Sequence, residues 1–145
     1  MKQRRTFYKD IEKFNKMYRL PENNAPTLHG IERLEKFKDI LLEEVEEVDD
    51  IIKQYKKHEK DLSKENQVEV ITNISDWLGD MVVYISSEAK KYGINLSETL
   101  KIIMASNFSK LGTDGKPIYD KRGKVMKGPN YWKPEPKIKE LLKKN

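Results

Sequence analysis

Two groups of carboxylates carry the first chemical signal in this chain. One is Leu41-Leu-Glu-Glu-Val-Glu-Glu-Val-Asp-Asp50, where six of ten residues are acids and no base falls between Lys38 and Lys53. Acids this close repel one another on a helix, so either water or a bound cation must offset the repulsion. At about 100° per residue, Leu41, Val45, Val48 and Ile52 form an apolar stripe, widened by Ile40, Ile51 and Tyr55. Glu44 falls inside that widened arc and Glu47 at its edge, while Glu43, Glu46 and Asp50 point away. A carboxylate on an apolar face loses solvation and stays ionised only beside a partner. Glu44 and Glu47, three residues apart, share one side of the helix, which suits a hard divalent cation. The plainer reading is a solvated acidic face, and this stretch alone leaves both open.

The second group is Asp76 and Asp80, the only charges between Val70 and Ser87. A stretch so poor in charge predicts a helix buried nearly all round. Two enclosed carboxylates one turn apart then need a cation or hydrogen-bond donors. A structural role, bonded to backbone or to a neighbouring Arg or Lys, stands beside that reading. Gly79 between them admits a close neighbour, either another helix or a ligand. Trp77 and Tyr84 flank the aspartate face and read as core packing or as platforms for a base.

Helices must position these groups. The spacing predicts a first helix over residues 3–19, a long second helix from Gly30 to His58 carrying the acid run, and a third from Lys64 to Tyr92. Ser63 is a fitting N-cap and Gly93 a fitting stop. A fourth helix starts near Asn95, with Glu98 completing a capping-box-like start. On its apolar stripe Asn107 interrupts Leu100, Ile103, Met104 and Leu111. That asparagine reads as a core residue bonded to backbone or, with Lys110 nearby, as a nucleotide contact. His29 and His58 flank the second helix, about 40 Å apart at 1.5 Å per residue, and read as surface or capping residues. After Leu111 turn residues dominate, and residues 116–119 and 124–127 predict a small hairpin around 120–123. An extended arm and a short helix over 137–144 follow.

The chain has 145 residues, a net charge of +5 and no cysteine, so disulfides and thiolate zinc sites are excluded. One domain is expected over 1–145, as an all-α body (1–111) and a basic tail (112–145). Residues 110–145 hold eleven bases and four acids, leaving the rest of the chain net acidic. That asymmetry suggests a phosphate-bearing partner, a nucleotide or a nucleic acid. With 37% hydrophobic and 37% charged residues the core is lean, and another subunit is expected to complete its burial. No apolar run has signal or membrane length, so a cytoplasmic location without membrane contact is expected.

Taken together, Glu43-Glu44-x-x-Glu47, Asp76-x-x-Gly79-Asp80 and Ser106-Asn107-x-Ser109-Lys110 resemble the all-α nucleoside triphosphate pyrophosphohydrolases. These are the MazG-like proteins, with dimeric dUTPases and phosphoribosyl-ATP pyrophosphohydrolases as relatives. The tail, Asp114-Gly-Lys-Pro-Ile-Tyr119 and Gly123-Lys-Val-Met-Lys-Gly-Pro-Asn-Tyr131, is similar to a subgroup of them, and the likeness runs from about residue 7 to 135. It implies a bundle of about four main helices completed as a homodimer or homotetramer. It implies Mg²⁺, or Mn²⁺, held by Glu44, Glu47, Asp76 and Asp80, with Glu43 or Glu47 as the base. Many members carry glutamate where this chain has Trp77, so Asp76 must supply that carboxylate. Asn107, Lys110, Lys127 and Tyr131 would bind base, sugar or phosphates. The implied reaction is water attack on the α-phosphorus of a nucleoside triphosphate, releasing the monophosphate and pyrophosphate. A nucleic-acid-binding module using the tail, with Tyr131 and Trp132 stacking, would leave both acidic motifs unexplained. A third possibility is an inactive nucleotide-binding scaffold of the same fold.

Overall fold

Six helices succeed one another in the computed structural model, which describes residues 6–144: α1 (Phe7–Met17), α2 (Ile31–Glu46), α3 (Val48–His58), α4 (Lys64–Lys91), α5 (Leu96–Phe108) and α6 (Glu135–Lys143). The protein is all-α. The start expected for the first helix, residues 3–5, lies outside the described residues. The longest helix, α4, is the axis: α1, α2 and α3 pack along it, α5 meets it too, and α6 packs on α5.

The expected caps are in place. The Ser63 hydroxyl accepts the Asn66 N–H at 3.2 Å, and the Asn95 side chain accepts the Glu98 N–H at 3.2 Å, each satisfying a donor the helix leaves free. At the other end of α4, Gly93 takes φ +67°. The Ile94 N–H returns to the Ala89 carbonyl and the Gly93 N–H to that of Lys90, a Schellman ending. A side chain at Gly93 would also collide with the Ala25 carbonyl. His29 does act at a helix end, but at that of α4 and not its own: its Nε2 and the Asn23 amide both bond the Lys91 carbonyl, at 2.7 and 2.6 Å.

Two expectations need correction. The second helix is not continuous. It breaks at Glu47 into α2 and α3, and the Asp50 N–H turns back to the Glu47 carbonyl over 3.2 Å, a tighter 3₁₀-type turn. Nor is the charge-poor helix buried all round within one chain. Ile71, Leu78, Val82 and Ile85 of α4 are all at least 40% exposed, and a Cβ at Gly79 would meet nothing within 4 Å. The other described helices leave that face of α4 uncovered.

The described core is small and partly polar. Ile11, Val70 and Ala89 are its buried apolar members. Around the last turns of α4, Asn15 is fully buried, giving its amide to the Ser87 carbonyl and accepting the Ser87 hydroxyl at 2.7 Å. Glu88 is gripped by the Arg33 fork and by Lys91, while Lys90 reaches Glu12, Tyr8 and Asn24. Burial pushes the Glu88 carboxyl up, but its bonds to Arg33 and Lys91 outweigh that and hold it below the ordinary range.

In the tail the expected hairpin is reduced to one antiparallel bridge, Tyr119 to Val125, closed by Asp120 accepting the Arg122 and Lys124 N–H groups. The tail then fastens to α5. The Gly128 N–H bonds the Lys110 carbonyl at 2.8 Å, and the Ser106 hydroxyl bonds the Trp132 carbonyl at 2.8 Å. Gly128 lies so close to the Leu111 carbonyl that any Cβ would clash, so only glycine fits there. The short C-terminal helix is α6, and its Lys137 covers the Trp132 ring, Nζ 3.8 Å from the centroid.

Candidate functional site

The acid run ends α2 and opens α3, where both lie against α4. Glu44 is the buried member, 8% exposed. Its Oε2 is enclosed and has no hydrogen-bond partner. Burial pushes its carboxyl up, and the charges of Glu47, Asp80 and Glu43 push it further. The Tyr84 hydroxyl, facing the carboxylate as a donor, offsets part of that rise. The same burial and the same carboxylates raise Tyr84. A buried carboxylate oxygen without a donor is costly to keep ionised, and a proton, a donor or a cation would each relieve it.

Glu43, Glu47, Asp76 and Asp80 are exposed. Asp80 is near enough to Glu44 to act on its charge. Glu47 and Asp76 line one open groove of about 440 Å³, with Asp50, Gln54, Asn73 and Trp77, a size within the range of small-molecule sites. The two acidic motifs are therefore neighbours across α2–α3 and α4. They are not enclosed, since the burial expected around Asp76 and Asp80 is missing from the single chain. Among the described residues, no three carboxylate or histidine side chains converge tightly enough to surround an ion by themselves. Mg²⁺ keeps several waters and is commonly held through one or two carboxylates plus substrate phosphates, so the all-oxygen donor set and the orphaned Glu44 oxygen fit such an ion.

Trp77, at the position where the resemblance would have had a carboxylate, donates its indole N–H to the Glu44 carbonyl at 2.6 Å. Tyr84, expected as packing or as a base platform, faces the Glu44 carboxylate, a place that its sequence context does not announce beyond its position one turn after Asp80. Gln54 and Asn73 are not announced either. They bond each other at 2.7 Å on a face that shows no pattern in either helix alone.

The remaining site residues gather at the end of α5. Asn107 is exposed rather than set in a core stripe, and accepts the Lys110 ammonium at 2.8 Å. Lys127 sits over the Tyr131 ring, 4.7 Å from its centroid. Among the described residues, no hydrogen bond or ion pair links this patch to the four carboxylates.

No protein-family model matches the chain, and a comparison with curated proteins gives no significant match. Solved structures do match. One is the crystal structure of a "putative NTP pyrophosphohydrolase" from Exiguobacterium sp. 255-15, at 23% identity and TM-score 0.52, covering 98% of this chain and 96% of that one. This chain shares its fold. At that identity the likeness speaks for the arrangement of helices, and what the carboxylates do rests on their own chemistry. Among the described residues, no helix is long and apolar enough to cross a membrane.

Proposed function

We propose that this protein is a MazG-like nucleoside triphosphate pyrophosphohydrolase dependent on Mg²⁺, or on Mn²⁺. The observation that carries the reading is the buried, unpartnered Oε2 of Glu44 amid Glu43, Glu47 and Asp80. Glu44 and Glu47 with Asp76 and Asp80 would hold the ion, which when bound neutralises the triphosphate and orients it. The chain's own residues do the rest. Glu47, at the rim of the groove, or Glu43 takes the proton of the attacking water. The groove between α3 and α4 gives the substrate room beside the acids. Lys110, Asn107, Lys127 and Tyr131 offer two ammonium groups, an amide and a ring to phosphates and base. Water attack at the α-phosphorus then yields a nucleoside monophosphate and pyrophosphate. The apolar side chains left open along α4 support assembly as a homodimer or homotetramer, and the expected location is the cytoplasm.

Pyrophosphate release from a panel of NTPs, dNTPs and modified nucleotides, with and without Mg²⁺, tests this. Glu47→Gln and Asp80→Asn should each abolish release while the helical circular dichroism persists. A panel with no Mg²⁺-dependent release would sink the reading. Salt-sensitive binding of single-stranded nucleic acid, indifferent to Mg²⁺, would then favour the tail as a nucleic-acid module.

A further inference from the structure

No helix-breaking residue accounts for the break at Glu47. Neither proline nor glycine occurs from Ile31 to His58. Kinks without those residues arise where a side chain or water intrudes on the backbone ladder. Trp77 is placed to do so. Its indole Nε1–H reaches from α4 to the Glu44 carbonyl in the last turn of α2. In an unbroken helix that carbonyl serves the N–H of Val48, four residues on. Here Val48 is the first residue of a new helix, and the turn between the two tightens. Trp77 also stands between Asp76 and Asp80, so one bond ties the backbone bearing the first carboxylate pair to the helix bearing the second.

We propose that Trp77 is a positioning residue: by drawing on the Glu44 carbonyl, its indole N–H breaks the acidic helix at Glu47 and sets where the Glu44 and Glu47 carboxylates stand. The structural half of this is independent of function, while its consequence for a cation rests on the metal reading above. The residue that replaces a carboxylate in the second motif thus acts on the first motif through a hydrogen bond.

Trp77→Phe keeps an aromatic ring and deletes the donor. In the full chain, amide hydrogen exchange at Val48 and Ile51 should slow by about three- to tenfold as the helix closes, the effect of roughly one net hydrogen bond. Mn²⁺ affinity, followed by the loss of free-ion paramagnetic resonance signal, should weaken by a similar factor at near-wild-type Tm. Unchanged exchange at both amides would overturn the proposal. So would slowed exchange with wild-type Mn²⁺ affinity, since the break would then not govern the carboxylates. If the variant does not fold, the Trp77 indole N–H decides in the native chain, assigned with Trp132→Phe: slow exchange supports the bond and fast exchange refutes it. A wild type that takes up no Mn²⁺ would overturn the metal reading instead, and the amide exchange would still judge the break.

Discussion

Glu44 is held where its own charge is disfavoured, and that has a sign that can be measured. Its folded pKa is raised, so its contribution to stability is present below its unfolded value and is lost as pH rises through the folded one. Above that folded value and without a cation the ionised group therefore works against folding. Glu44→Gln should raise Tm in chelator by roughly 2–4 °C, the response of a domain this size to about 1 kcal/mol. It should also erase any stabilisation by added Mg²⁺ or Mn²⁺, as read by thermal melts. A lower Tm for Glu44→Gln in chelator would mean that the carboxylate already has an adequate partner. At the other patch, Lys110→Ala removes one charge-assisted contact, worth about 1.5–3 kcal/mol. Steady-state kinetics should show KM for the triphosphate rising about 10- to 100-fold, with kcat less affected.

The elements are joined by polar contacts that cross long stretches of sequence, and their weak points follow from that. Glu88 on α4 neutralises Arg33 of α2 and Lys91 beside it. Glu88→Gln strands the buried Lys91 and the half-buried Arg33, and breaking such a buried pair costs about 3–5 kcal/mol, to be seen as an early denaturation midpoint in urea. The wild type carries the matching acid sensitivity. The folded Glu88 pKa is depressed, so its stabilisation is complete above the unfolded value of about 4.5 and fades as pH falls toward the folded one. Melting curves of the wild type should drop across that acid range, and those of Glu88→Gln should be flatter there. What the sequence disclosed at this scale was local. Ser63, Asn95 and Gly93 mark helix ends because their effects act within four residues. The break at Glu47 was not legible, because its partner Trp77 lies on another helix. Nor was the bond between Asn15 and Ser87, whose residue types carry no sign of a meeting 72 positions apart. The two acidic motifs were legible as a pair. Their openness to solvent was not, since absence of charge along α4 foretells a covered surface without telling what covers it.

At the scale of the whole molecule, that open axis governs behaviour. Leu78, Val82 and Ile85 leave apolar surface on the helix that also bears Asp76 and Asp80, and association of copies along it would bury surface worth roughly 25 cal/mol per Å². Leu78→Glu should shift the sedimentation coefficient to that of a 17.1 kDa monomer and weaken Mn²⁺ uptake with it. A wild type that already sediments as a monomer would rule this out. The two halves of the chain can also be watched separately. Its only two indoles, Trp77 and Trp132, sit respectively above the acids and beneath Lys137 on the tail. With Trp132→Phe, indole emission would come only from beside the carboxylates. With Trp77→Phe it would come only from the clasp on α5. The molecule thus carries one intrinsic lamp beside its carboxylates and one on its tail, and no external dye is needed to tell which responds first.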